Sequence, residues 1–135
     1  MVPTRLIDFM IDADIAVYAM ARHPKILHSL GQHRSNVIAM SAIVHSQLLQ
    51  GAQNAAERDA IVRLRAVISV ASYDDRASLA YGVIVEQIGF SRAHTIDRMI
   101  AAHAISNGAV LVSNNMNDFA RVPGLSIENW ANSTL

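Results

Sequence analysis

The sequence predicts a single α/β domain built on a parallel sheet, and three observations carry that prediction. The chain has 135 residues, the span of one hydrophobic core. Apolar residues make up 52% of it and charged residues 16%, against a usual charged share of roughly 25%, so the chain buries a core and is not disordered. The hydrophobic pattern also switches repeatedly between short apolar runs and longer amphipathic ones, as strands alternating with helices do. No repeat, low-complexity tract or linker divides the chain. One domain over residues 1–135, with its core at about 7–130, is therefore expected.

Leu6 to Ile11 reads as a first strand that stops at Asp12, and Ile15 to Ala21 as the helix after it. A second helix is predicted to start near Pro24, since proline's fixed φ suits a first helical turn. Val37 to Met40 reads as a second strand, and Ser41 as the N-cap of a helix from Ala42 to Gln50 that ends at Gly51. Residues 55–68 form the next predicted helix, with Ile61, Leu64 and Ile68 on one face and Arg58, Asp59, Arg63 and Arg65 around the other. Val67 to Ala71 reads as a short strand whose start overlaps that helix. Residues 74–88 read as a helix with Leu79, Val83 and Ile84 in the core and Gly89 as its stop. Thr95 is expected to cap a helix running to Ser106, which Asn107-Gly108 closes. Ala109 to Val112 is a buried strand, and Leu125 to Ile127 a last short one.

Several chemistries are excluded at once. Eleven basic and eleven acidic residues cancel, so net charge does not advertise a polyanionic partner, and RNA binding would rest on local charge. Lys25 is the only lysine among ten arginines, which disfavours Schiff-base and P-loop chemistry. No cysteine occurs, so disulfides and thiolate chemistry are absent and a reducing cytoplasm is the expected location. The six histidines at 23, 28, 33, 45, 94 and 103 contain no His-x-x-x-His pair, which argues against zinc. His45 and His103 read as core-edge residues, and the methionines as core filler. Asp8 and Asp12 interrupt the apolar N-terminal stretch, unlike a secretory signal. No apolar run approaches the roughly 18 to 20 residues of a membrane span, so no membrane is expected.

Open parallel sheets place ligands beyond the carboxyl ends of their strands. Asp12 and Asp14 follow the first strand, Ser41 the second, and Ser113-Asn114-Asn115 the strand at 109–112. Asp12 closes an apolar strand, where a carboxylate must be solvated, used as a cap, or bound to a cation. Asp97 in a first helical turn is favoured by the helix dipole whatever else it does. Asn115, by residue type, is a turn residue. None of the three is specific alone.

Their surroundings are more specific. The segments Met10-Ile-Asp-Ala-Asp-Ile-Ala-Val-Tyr18, Ser41-Ala-Ile-Val-His-Ser-Gln-Leu-Leu-Gln-Gly-Ala52, Ile96-Asp-Arg-Met-Ile-Ala-Ala-His-Ala104 and Leu111-Val-Ser-Asn-Asn-Met-Asn-Asp-Phe119 occur in this order, followed by Arg121-Val-Pro-Gly-Leu125. This series resembles the PIN-domain ribonucleases, most closely the VapC toxins of toxin–antitoxin pairs, from about residue 7 to Trp130. The resemblance implies a three-layer α/β/α domain whose acidic cluster binds Mg²⁺ or Mn²⁺ for RNA phosphodiester cleavage. It implies catalytic positions at Asp12, Gln47, Asp97 and Asn115, with Asp12 and Asp97 as the metal ligands and Ser113 as an accompanying hydroxyl. A cognate VapB-like antitoxin and a homodimer are implied as well, with the apolar stretches at 15–30 and 48–68 as surfaces for one or the other. Arg98 and Arg121 are then candidate contacts to the RNA backbone.

Gln47 departs from the family pattern, which has glutamate there. The amide keeps the shape and removes a charge, so a divalent cation is held less tightly. With Asn115 neutral too, Asp14 and Asp118 become possible further sources of charge. The departure sets an attenuated nuclease beside an inactive PIN-like module that still binds antitoxin or RNA. A third reading comes from Phe9-Met-Ile-Asp-Ala-Asp-Ile-Ala16, which resembles the Asp-x-Asp start of haloacid-dehalogenase-type phosphatases. That pattern lacks its later lysine and paired aspartates here.

Overall fold

The computed structural model describes residues 7–131. Five strands form one sheet: β1 (Phe9–Ile11), β2 (Ile38–Ser41), β3 (Ser69–Ala71), β4 (Val110–Val112) and β5 (Ile127–Glu128). Their spatial order is β3-β2-β1-β4-β5, and every pairing is parallel. The chain walks outward from β1 to β3, then returns across the sheet to β4 on the other side of β1. The crevice between the carboxyl ends of β1 and β4 is therefore the topological switch point, where ligands of open parallel sheets bind.

The helices are α1 (Ala13–Met20), α2 (Pro24–Gly31), α3 (Ala42–Gly51), α4 (Ala55–Val67), α5 (Asp75–Ile88), α6 (Thr95–Ser106) and the short α7 (Met116–Phe119). The first four pack on one another, while α5 lies along α6. The sheet is thus the middle of three layers. Its core strands are almost fully buried, with Met10, Ile11, Ile38, Met40, Leu111 and Val112 between the helical layers. Parallel sheets covered on both faces require such continuous apolar runs. Among the described residues no helix is long and apolar enough to cross a membrane.

Local chemistry explains where the elements begin and end, and it corrects several expectations. Helix α1 starts at Ala13, two residues before the predicted Ile15, because the Asp12 side chain accepts from the Ala13 N–H and caps it. Ser41 caps α3 as expected, accepting from the Ile43 N–H. Thr95 is not the cap of α6: it is the first helical residue, after His94, and its hydroxyl donates to the Ser91 carbonyl at 2.9 Å. Gly108, at φ 62°, closes α6 in a left-handed conformation that glycine adopts without strain. Strand β1 begins at Phe9, after Ile7 and Asp8, and the predicted Leu6 lies outside the described residues. Strand β5 starts two residues later than predicted and ends one later, and α7 after β4 had no periodic signal in four residues.

The largest correction concerns α5. Leu79 and Val83 are not core residues but 67% and 49% exposed, while Ala77 and Ile84 are buried. The small Ala77 and Ala80 let α5 approach its neighbours closely, and helix periodicity alone cannot tell which apolar stripe faces inward. The two sides of α4 are as expected around Ile61, although Ile68 reaches the core from the extended residue after the helix.

Candidate active site at the β1–β4 switch point

Asp12 sits at the end of β1 and is 7% exposed. One carboxylate oxygen accepts from the Ala13 N–H and the other from the Ser113 hydroxyl, both at 2.9 Å. Ser113 follows β4, so this bond closes the switch-point crevice side chain to side chain. Its oxygen in turn accepts from the Asn115 N–H at 2.9 Å. Asp14, in the first turn of α1, accepts from the Asn114 N–H at 3.0 Å. The loop after β4 is thereby tied to both aspartates that follow β1.

Helix α6 brings Asp97 to the same place. The charges of Asp14 and Asp97 both act on Asp12, and those of Asp118 and Asp14 act on Asp97. Burial is the larger cause in each case. It pushes the Asp12 carboxyl up to about 6, with the neighbouring acids adding to it and the Ala13 and Ser113 hydrogen bonds opposing it. Asp14 is raised by burial against the pull of the Asn114 and Ile15 N–H groups. Asp97 is raised by burial and then by Asp118, with His94 working the other way. Such a set is short of positive charge, because like carboxylates in a dehydrated crevice disfavour their own ionisation.

The remaining predicted residues take differing places. Asn115 turns its amide to the Asp118 carboxylate, donating through Nδ2, and meets the Asp12 group only through its backbone and Ser113. Asp118, one of the two acids considered as extra charge, therefore belongs to the cluster, as does Asp14. Gln47, on α3, lines a cleft of about 480 Å³ together with Asp14, Val17, Leu48, Glu57 and Ile61. Its Oε1 is buried and has no hydrogen-bond partner. Arg98 is not available to RNA: it is 9% exposed, and its guanidinium donates to the Gly89 carbonyl at 3.2 Å, where it caps the end of α5. Arg121 is exposed.

The donor set suits a hard divalent ion better than zinc. Among the described residues no three His, Asp or Glu side chains converge as a ready-made metal cage. Mg²⁺ is typically held by one or two carboxylates with water and substrate phosphates completing its shell. Asp12 and Asp97 are two carboxylates that could serve in this way, and the orphaned Gln47 oxygen is a hard acceptor without a donor. The residues present fit the ion.

Sequence reasoning missed one buried group near the rim. His103 is 1% exposed and not at the core's edge. Its Nδ1 meets the Ser41 hydroxyl at 2.7 Å, its ring packs edge-on against Tyr73, and it bonds the Ser72 backbone. Ser41 starts the helix carrying Gln47, and His103 lies on the helix carrying Asp97. The 62-residue separation of that pair left no local signal.

Comparison with known proteins bears on the fold and the family. The family model described as PIN domain matches residues 9–125. The chain is 32% identical over 134 residues to Ribonuclease VapC2 of Rickettsia felis, covering 90% of this chain and 97% of that protein. It is 30% identical over 132 residues to the tRNA(fMet)-specific endonuclease VapC of Salmonella typhimurium, covering 93% and 99%. The structure of VapBC2 from Rickettsia felis bound to a promoter DNA fragment superposes with a TM-score of 0.78 at 28% identity, over 92% of this chain and 99% of that one.

Proposed function

The chain belongs to the PIN-domain family, with VapC ribonucleases as its relatives, and from that premise we propose that it is a Mg²⁺- or Mn²⁺-dependent endoribonuclease toxin restrained by a cognate antitoxin. The observation that carries this reading is the hydrogen-bonded acidic cluster at the switch point. The short Asp-x-Asp resemblance at residues 12–14 falls inside the longer family match.

In the proposed site Asp12 and Asp97 would hold the ion, and Gln47 Oε1 is a neutral acceptor beside them in the family pattern. The bound ion would supply charge neutralisation at the phosphoryl oxygens and a water of lowered pKa. Ser113 fixes the Asp12 carboxylate through the O–H···O bond, and the Asn114 N–H fixes Asp14. Asn115 holds Asp118 close to Asp97, which keeps negative charge concentrated on one side of the crevice. These groups are in place before substrate arrives, so little reorganisation accompanies the reaction.

Antitoxin binding is supported by the surface beside the site. The 480 Å³ cleft continues past Met20 and Ala60 into a second cleft of about 340 Å³ lined by Leu27, Leu30, Leu64 and Val67, with Arg22 and Arg63 at its walls. These residues come from the two apolar stretches that periodicity alone did not assign. Val17, Leu27 and Val67 are 50%, 36% and 60% exposed, which fits a surface completed by a partner.

The test is cleavage of structured RNA with Mg²⁺ or Mn²⁺ by the wild type, Asp12→Asn and Asp97→Asn. Cleavage that is lost in both variants, and in EDTA, is the expected result. The uncharged Gln47 favours a second reading, an inactive PIN-like module, and that reading stands if no RNA is cut at excess metal while antitoxin binding persists.

A further inference from the structure

Phe90 is the most exposed large apolar side chain among the described residues, at 69%. It stands in the loop between α5 and α6, seven residues before Asp97. An exposed aromatic in a loose loop would mean little. Here both of its neighbours are pinned. Gly89 turns the chain out of α5 at φ 81°, its N–H bonds the Val85 carbonyl, and its own carbonyl accepts from the buried Arg98. On the other side, the Ser91 carbonyl accepts from the His94 N–H at 3.2 Å and the Thr95 hydroxyl at 2.9 Å. The Ser91 hydroxyl meets His94 Nδ1 at 2.9 Å. Every one of the contacts beyond α5 is made to the residues that open α6, the turn from which Asp97 enters the acidic cluster.

The charge beside Phe90 is of the complementary sign for a polyanion. Arg92 is exposed, and no hydrogen bond or ion pair engages its guanidinium among the described residues. His94 is close enough to act on Asp97 electrostatically. The segment 89–96 thus combines an aromatic face, a guanidinium and an imidazole, with no acid until Asp97 itself.

We infer that Phe90 and Arg92 form a nucleotide subsite next to the acidic cluster, Phe90 stacking an unpaired base of single-stranded RNA and Arg92 meeting its phosphate. This rests on the ribonuclease reading and adds the substrate class: RNA whose bases are splayed out at the cleavage site. Aromatic faces take bases irrespective of sequence, and proteins that act on single strands combine them with local basic groups. A chain of zero net charge needs such a local device, since its overall charge does not attract the backbone.

The experiment measures binding of a fluorescein-labelled single-stranded oligoribonucleotide by anisotropy in EDTA, and cleavage KM and kcat in Mn²⁺. The proteins are the full-length wild type, Phe90→Ala, Phe90→Trp and Arg92→Ala. Removing one stacked base is expected to weaken binding on the order of 5- to 150-fold in Phe90→Ala. KM should rise with kcat little changed, and a fully paired duplex should show no Phe90 dependence. Phe90→Trp should bind like the wild type, with its indole fluorescence quenched by RNA; the one native tryptophan, Trp130, is 5% exposed and gives a constant background. Wild-type binding or cleavage that Phe90→Ala leaves within about twofold overturns the subsite and leaves the ribonuclease reading intact. A wild type that neither binds nor cleaves RNA removes both. If Phe90→Ala instead converts a dimer to a monomer in sedimentation velocity, the side chain is a contact with a second copy, and the subsite is again overturned.

Discussion

Asp12 carries the sharpest conflict between stability and function in the molecule. Its carboxyl titrates at about 6 in the folded chain against 3.8 for the free group, which corresponds to about 3 kcal/mol of folding free energy. The folded state keeps the proton to higher pH than the unfolded state, so this contribution is harmless at low pH. It becomes destabilising as pH rises from about 4 through about 6, and is constant above. Asp12→Asn removes the buried charge. In thermal unfolding of metal-free protein the variant should melt several degrees above the wild type near about pH 8, with the gap closing near about pH 4. Calorimetric Mn²⁺ titration should show the reverse ranking, with affinity lost in the variant; equal affinity in both proteins would remove Asp12 from the proposed metal site. Gln47→Glu is the complementary change. It places a carboxylate where an unpaired buried oxygen now stands, and is expected to raise both Mn²⁺ affinity and RNA cleavage. Affinity that rises while cleavage stays flat would show that the missing charge is not what limits activity.

At the scale of elements, α5 offers a simple check on which face is buried. Leu79→Ser and Val83→Ser should each change unfolding free energy by no more than about 0.5 kcal/mol, as exposed sites do. Ile84→Ala, 2% exposed in the wild type, should cost about 2 to 5 kcal/mol. The Ser41–His103 bond makes a different prediction about α3 and α6. Burial holds the His103 imidazole below the usual histidine range, although Asp74 and the Ser72 backbone bond favour the charged form. A group whose folded pKa is depressed contributes stability that is present above its unfolded value of 6.5 and is lost as pH falls through the folded value. Wild-type unfolding followed by circular dichroism should therefore weaken on acidification below about pH 6.5, more steeply than in His103→Asn, which cannot be protonated there. Asp12 acts in the opposite direction over the same range, so the difference between the two proteins is the quantity that isolates His103.

For the whole molecule, charge balance determines how RNA is held. Eleven acids offset eleven bases, and one of the expected backbone contacts, Arg98, is committed to the Gly89 carbonyl. Of the cations proposed to meet the RNA backbone, Arg92 and Arg121 are exposed. The logarithm of RNA affinity should therefore fall with the logarithm of salt at a slope of only about −1 to −2, given roughly −0.7 per phosphate on a single strand. A slope much steeper than that, measured by anisotropy in EDTA, would mean that a wider basic surface meets the RNA than the structure presents.

Local signals carried much of the architecture. Pro24, Ser41, Gly51, Gly89 and Asn107-Gly108 punctuate the chain wherever proline geometry, a capping oxygen or a glycine backbone ends one element or begins the next. The apolar runs at 6–11, 37–40 and 109–112 read as short buried strands, and β1, β2 and β4 form at those places. Asp12, Gln47, Asp97 and Asn115 were legible as a set because their segments keep a family order. Local text did not say which stripe of α5 faces inward, because Leu79 and Val83 have the same period as a core face. Nor did it separate Arg98 from Arg121, which are alike in composition and opposite in burial.

By itself, then, the sequence determined a cysteine-free, charge-balanced α/β domain and the identity of the acids at its strand ends, since those follow from composition, periodicity and capping chemistry. Only the tertiary structure decided that β4 returns beside β1, so that Ser113 meets Asp12 across 101 residues and α6 delivers Asp97 to the same crevice. Contacts so far apart along the chain are set by how strands are ordered and helices stacked, and the energies that choose that order are spread over the whole core.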